Sequence, residues 1–291
     1  MQRPAMQKLR SILIPALMVV LLGAGCKKTP APATEVIAIP AAQLPAGPGD
    51  AAWENAPEYV AKLIPQDLVE PRLAQPSTPE MRVQAMTNGT EIAFRLRWVD
   101  PDQNDTAGPG RFVDACAVQV PTRLMPNPPA PQMGEAANSV QISYWRADWQ
   151  AWVNGRPDNI RSIYPNAEIT HYPFQASSLE AGSPEQKEMA KRFAPADAAG
   201  NRRQGPRQSP VESLLAEGPG TLAPNPALLV RGSGVRTQDG WAVMMVRPLP
   251  EGLAPKARTS VAFAVWQGSN KEAGARKMRS GWAPLAVQEK K

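Results

Sequence analysis

The 291-residue chain contains two cysteines, Cys26 and Cys116, and a single histidine, His171. That scarcity excludes several chemistries. Zinc and iron–sulfur sites need clustered thiolates or imidazoles, and there are too few of either. No Cys-x-x-Cys-His occurs, so covalent haem attachment by that route is excluded. Gly232-Ser233-Gly234 lacks the spacing of a nucleophile elbow, and one histidine leaves little room for hydrolase chemistry. An intramolecular disulfide would have to use Cys26. Cys116 lies in Phe112-Val113-Asp114-Ala115-Cys116-Ala117-Val118, an apolar setting in which free cysteine packs. The excess of positive charge is peripheral. Arg3, Lys8, Arg10, Lys27, Lys28, Lys290 and Lys291 sit at the two ends, and without those seven the formal charge of +6 becomes −1. No basic face for nucleic acid is implied.

One long apolar run occurs, from Ile12 to Leu22, and it is too short to span a bilayer comfortably. Basic residues precede it and Gly23-Ala24-Gly25-Cys26 follows, the arrangement of an export signal. Small residues before a cysteine resemble a bacterial lipoprotein cleavage site, with Gly23 where leucine is commoner. The competing readings are an ordinary secreted protein and an uncleaved signal anchor. On the lipoprotein reading, residues 1–25 are the signal peptide and Cys26 carries the lipid. The protein is then periplasmic and membrane-anchored, on the inner or the outer membrane. Residues 26–50, rich in proline and alanine, read as a tether. The globular domain then covers residues 51–288.

What is present is strand-like. Hydrophobic residues make 43% of the chain, enough for a sizeable core. Met81 to Trp98 is a hairpin signature, with Asn88-Gly89 at its turn. Ile92, Phe94, Leu96 and Trp98 share one face, Arg95 and Arg97 the other. Further strands are expected at 112–120, over Val140, Ile142 and Tyr144, at 227–230, at 240–249 and at 260–266. Ser183-Pro184-Glu185-Gln186 starts a helix, with a serine cap, proline at the first position and a capping-box glutamine. A short helical turn is expected at 211–215. The fold class is mainly β, a two-sheet antiparallel β-sandwich with a few short helices in loops.

Met133 occupies the turn Pro131-Gln132-Met133-Gly134. A thioether at a turn either fills a gap in an apolar core or ligates a soft metal or haem iron. An ordered series of segments narrows the choice. It comprises Asp67-Leu68-Val69-Glu70-Pro71, Phe94-Arg95-Leu96-Arg97-Trp98, Arg111-Phe112-Val113-Asp114-Ala115-Cys116, Gln132-Met133-Gly134, Trp145-Arg146-Ala147-Asp148-Trp149, Glu217-Gly218-Pro219-Gly220 and Ala262-Phe263-Ala264-Val265-Trp266-Gln267-Gly268-Ser269-Asn270. Together with the strand at 241–249, the series resembles the haem b-binding gamma subunits of periplasmic molybdenum enzymes, the group of the ethylbenzene, dimethylsulfide, selenate and chlorate enzymes.

The resemblance implies one haem b held between the sheets of a sandwich, with methionine and lysine as axial ligands to iron. Met133 matches the methionine. Lys277 best matches the lysine, and Lys271 competes with it. It also implies electron transfer with no catalytic residue in this chain. The implied partners are iron–sulfur and molybdenum-cofactor subunits and a soluble cytochrome c or similar carrier. The single histidine excludes a bis-histidine haem, and His171 reads as structural. Pro219 departs from the family, where a bulky apolar residue is expected. The lipoprotein signal is also unusual among relatives. A rival reading is a non-haem carbohydrate- or ligand-binding lipoprotein in which Trp53, Trp98, Trp145, Trp149, Trp241 or Trp282 stacks on sugars.

Overall fold

A computed structural model describes residues 33–158, 160–167, 180, 182–193 and 206–289. Within them the strands are β1 (Val36–Pro40), β2 (Tyr59–Lys62), β3 (Ile64–Pro65), β4 (Glu80–Thr87), β5 (Glu91–Val99), β6 (Ala115–Pro121), β7 (Val140–Arg146), β8 (Val211–Ala216), β9 (Ala223–Pro224), β10 (Arg231–Arg236), β11 (Gly240–Pro248), β12 (Arg258–Trp266), β13 (Met278–Arg279) and β14 (Ala283–Val287). The helices are short: α1 (Ala147–Val153), α2 (Ile160–Ile163) and α3 (Pro184–Phe193). The chain is mainly β, as its alternating apolar pattern requires.

The strands follow one path, β10-β11-β5-β4-β1-β14-β12-β6-β7-β8-β9. β12 joins its two halves, pairing with β14 through residues 258–261 and with β6 through residues 262–266. β13 pairs with β12 and carries β3 on its other edge. One buried cluster draws on both halves, with Phe94, Leu96 and Trp98 from β5, Cys116 and Val118 from β6, and Phe263 and Val265 from β12. Trp145 on β7 meets Trp98 of β5 at 6.3 Å and Trp241 of β11 at 5.1 Å, edge-on in both cases. These strands are not hydrogen-bonded neighbours, so the rings meet across the core. Aromatic edges against faces are the favoured geometry.

The hairpin forms, with Thr87 opposite Ile92 and Arg82 opposite Arg97, but its turn falls one residue later than Asn88-Gly89, since the Asn88 N–H donates to the Glu91 carbonyl at 3.2 Å across Gly89-Thr90. The helix at Ser183 is also as expected, since the Gln186 N–H donates to Ser183 Oγ at 3.1 Å. Other expectations are corrected. Residues 36–40, assigned to the tether, form β1 inside the sheet, with Val36 and Ala38 buried. β1 runs parallel to both β4 and β14, so the sheet is not wholly antiparallel. Residues 211–215 belong to strand β8 rather than a helical turn, because Val211 and Ser213 face one side and Leu214 and Ala216 pack on the other. Residues 227–230 precede a strand that starts only at Arg231. Cys26 and His171 lie outside the described residues.

Close approach of the halves requires a glycine on β10. A Cβ at Gly234 would sit 2.4 Å from the Trp145 ring, which is held among Trp98 and Trp241 and has no free space to enter. Gly234→Ala should therefore destabilise the protein by about 1–3 kcal/mol, the usual cost of overpacking. The check is a lower denaturant midpoint at unchanged slope.

Candidate functional site

The outer face of the second half, turned away from the shared core, carries a slot of about 310 Å³. Its position follows from strand alternation. On β6 the residues Cys116, Val118 and Val120 point into the core, which leaves Ala117 and Gln119 on the other face. On β12, Phe263 and Val265 belong to the core, and Ala262, Ala264 and Trp266 line the slot. Ile142 and Tyr144 of β7 and Leu214 of β8 continue the floor. Ala117 lies directly opposite Ala264. Methyl groups there, beside larger side chains on either flank, hollow out the sheet surface. Loop segments around residues 66–69, 131–133, 219–222 and 274–277 form the walls.

Two donors meet in this slot. Met133 Sδ lies 3.9 Å from Lys277 Nζ, across 144 positions of sequence. Lys277 reaches it because Met278, its neighbour on β13, is fully buried in the shared core, and alternation turns Lys277 to the outer face. Met133 is held by its loop. Its backbone is left-handed, φ +73°, as is that of Gly134, φ +80°. Left-handed backbone is costly for a side-chain-bearing residue and persists only where surroundings enforce it. Here the Gly218 N–H donates to the Met133 carbonyl at 2.8 Å, the Gly134 N–H to the Ala130 carbonyl at 2.9 Å, and Gln119 Nε2 to the Pro131 carbonyl at 3.0 Å. A Cβ on Gly134 would come within 2.9 Å of the Asn138 carbonyl oxygen, so glycine is required there.

The slot disfavours the charged amine. Burial lowers the Lys277 pKa to about 8, and the nearby Arg279 charge pushes the same way. The Lys277 Nζ also sits 5.2 Å from the centre of the Trp266 ring. Two metal–ligand bonds laid end to end, one to nitrogen and one to sulfur, span roughly 4.3 Å by the lengths known for zinc. The observed 3.9 Å is within a few tenths of that distance. The donor set, a thioether and an amine on apolar walls, suits a soft metal centre with a flat apolar surround. Lys271 is exposed and lines a separate hollow with Asn104 and Arg111. The fold thus brings Lys277 to Met133, and not Lys271. The resemblance implies a group held between the sheets, whereas Met133 and Lys277 meet on an outer face. The space between the halves is filled by Trp98, Trp145, Trp241, Phe94 and Phe263, and the slot is on the outside.

A family model described as ethylbenzene dehydrogenase matches residues 50–278. The chain belongs to the ethylbenzene dehydrogenase family. A protein of Haloferax mediterranei, provisionally named as a respiratory nitrate reductase heme subunit, is 27% identical over 281 residues, covering 93% of this chain and 79% of that protein. The chlorate reductase subunit gamma of Ideonella dechloratans is 26% identical over 283 residues, covering 90% and 92%. A solved carbohydrate-binding module of family 9 from Caldicellulosiruptor kristjanssonii, in complex with cellotriose, aligns at 9% identity with a TM-score of 0.40, covering 88% of this chain and 94% of that one. That likeness is too slight to bear on function. Trp53, Trp98, Trp145, Trp149 and Trp241, the rings that a sugar would need, are each 4% exposed or less. Core packing is their role. Trp282 is half-buried and donates its Nε1–H to the Pro129 carbonyl at 2.6 Å, which pins the Met133 loop.

In this member of the ethylbenzene dehydrogenase family, buried acids hold the segment that leads from β12 to Lys277. Asp114 Oδ1 accepts the Gly268 N–H at 2.8 Å, and its Oδ2 accepts the Asn104 N–H at 2.8 Å and Trp241 Nε1–H at 3.0 Å. Asp100 Oδ1 accepts from Gln267 Nε2 at 3.0 Å, and Glu272 Oε2 from the Gln267 N–H at 3.0 Å. Asp100 Oδ2 has no donor. Burial pushes Asp114 up to about 7, with the neighbouring Asp100 charge adding to the shift. Burial also raises Asp100 and Glu272. Two adjacent buried carboxyls resist double ionisation, so the pair retains a proton to a higher pH than in the unfolded chain, where aspartate titrates near 3.9. The folded state then binds more protons between about pH 4 and 7, and this contribution to stability is lost as pH rises through that window. Relative to wild type, Asp100→Asn should flatten the fall in thermal midpoint from pH 5 to pH 8. An identical pH profile in the two proteins would exclude the shared proton.

Proposed function

We propose that this chain is a haem b electron-transfer subunit of an oxidoreductase complex, with Met133 and Lys277 as the axial ligands to iron. The observation that carries this reading is the 3.9 Å meeting of thioether and amine in an apolar slot. It is supported by the names of the relatives, a heme subunit of a nitrate reductase and a gamma subunit of chlorate reductase. Bound in the slot, haem b would supply a one-electron couple. Met133 offers a soft sulfur, which favours the ferrous state and raises the potential. Lys277 ligates only as the free amine, and its burial works in that direction. With side chains in both axial positions, no coordination site is left for oxygen or substrate. That arrangement suits relay rather than catalysis.

On this reading the electron donor or acceptor on one side is an iron–sulfur subunit of a molybdenum-cofactor oxidoreductase. On the other side is a soluble cytochrome c or similar carrier. Cys26 would hold the subunit on a membrane in the periplasm through its lipid, since two or more acyl chains anchor stably.

The absorbance spectrum of the full chain, purified after expression with added haem, tests the cofactor. The expected result is a six-coordinate low-spin band. Met133→Ala and Lys277→Ala should each abolish that species. Each should also weaken haem binding by more than the roughly 10–100-fold that outer-shell partners cost. A chain without a haem band, or with a spectrum indifferent to both substitutions, overturns the proposal. For the anchor, Cys26→Ser should move the protein from the membrane fraction to the soluble fraction. Retention on the membrane would refute lipidation at that residue.

A further inference from the structure

Among the described residues, Lys277 and Arg279 are the charged side chains that line the slot. They are two positions apart across β13 and share its outer face, while Met278 between them is in the core. Arg279 is 8% exposed. A buried guanidinium needs a counter-charge, and its planar fork matches a carboxylate through two parallel N–H bonds. What Arg279 has is less than that. Its Nη2 donates to Asp67 Oδ1 at 2.6 Å, its Nη1 makes a long 3.4 Å contact with the Ser280 carbonyl, and its Nε has no partner.

Asp67 is a poor permanent partner. Its side chain is 64% exposed, so water competes for it and the pair contributes little. It belongs to a short segment at the slot wall, where Gln66 Oε1 accepts the N–H groups of Leu68 and Val69, both at 2.9 Å. Leu68 and Val69 line the slot, yet are 61% and 36% exposed. The segment is fastened to β13 by the Gln66 N–H, which donates to the Lys277 carbonyl at 3.0 Å. The wall therefore has an apolar lip that a ligand would cover, beside a cation whose fork is half used.

We propose that Arg279 anchors a carboxylate on the edge of the slot's ligand, and that Asp67 holds the guanidinium only until that carboxylate displaces it. The inference rests on the haem reading for its choice of ligand, a flat apolar ring with carboxylates on one edge. It adds an orientation: the acidic edge of the ligand lies toward β13 and residues 66–69.

The test compares haem with haem dimethyl ester, whose carboxylates are masked, as ligands of the haem-free full chain. Wild type should bind haem about ten- to a hundredfold more tightly than the diester, the range for one charge-assisted hydrogen bond. Arg279→Gln should remove that preference by weakening haem and leaving the diester unchanged. Asp67→Asn, which leaves the core intact, should widen the preference by removing the competing carboxylate, and it carries the test if Arg279→Gln fails to fold. Equal binding of the two porphyrins by wild type overturns the anchor and leaves the haem reading standing. A preference untouched by both variants does the same. Failure of both porphyrins to bind overturns both.

Discussion

Strand alternation on β6, β12 and β13 is the constraint on which the rest depends. On these strands one set of side chains, Cys116, Val118, Phe263, Val265 and Met278, is committed to the core shared by the two halves. The period of two leaves the complementary set, Ala117, Gln119, Ala262, Ala264, Trp266, Lys277 and Arg279, on the outer face. The size of that second set makes the slot. Larger residues at Ala117, Ala262 and Ala264 would have closed it. A register shift of one residue would put Lys277 into the core and Met278 at the slot, exchanging an amine for a second thioether. The core thus fixes the site indirectly, since the burial of Met278 is what holds Lys277 facing Met133.

Polar costs accompany the site and are met locally. Met133 has a left-handed backbone, and three hydrogen bonds to the loop around it offset that strain. Lys277 loses hydration, and the two opposing influences on it are of unequal size. Burial disfavours its charged form, and Trp266 offers only a weak π-face to an ammonium. The acids at Asp100, Asp114 and Glu272 are costly to bury. They offset that cost by fixing the backbone of Gln267 and Gly268, at the start of the turn that ends at Lys277. Gly268 is itself pressed on the chain before β6, where a Cβ would meet the Phe112 carbonyl oxygen at 2.3 Å.

Much of this was legible in the sequence, where local chemistry was strong. Asn88-Gly89 specified its hairpin and Ser183 its helix, because turn and cap residues act on their immediate neighbours. Met133 stood out because a thioether at a turn can ligate a soft metal, and the resemblance paired it with Lys277, with Lys271 as the competitor. β1 was not legible. Val36-Ile37-Ala38-Ile39-Pro40 is short and set among prolines, and its partners β4 and β14 lie about 45 and 250 positions away. β8 was misread because Val211-Glu212-Ser213-Leu214-Leu215 fits a helical turn or a strand equally, and its neighbour β7 decides. Tertiary context also decided the side of the sheet. The sequence shows that Ala117 and Cys116 face opposite ways. Only packing shows that the cysteine side is the core.

The charge balance of the slot gives the last constraint. Among the described residues its lining contains two basic side chains, and the carboxylate paired with Arg279, Asp67, is mostly in water. A second fixed cation beside Arg279 would be repelled, and this repulsion favours Lys277 as a neutral donor. On the proposed reading a ferrous or ferric centre ligated by a neutral thioether and a neutral amine adds no negative charge from the protein. The ring nitrogens of a porphyrin would offset iron, and the compensation for Arg279 would come from carboxylates on the ring's edge. A ring with free carboxylates would supply the second, and an esterified ring would not. On that reading the residues that make the slot apolar would also make it favour an amphiphilic occupant with its acidic edge toward β13.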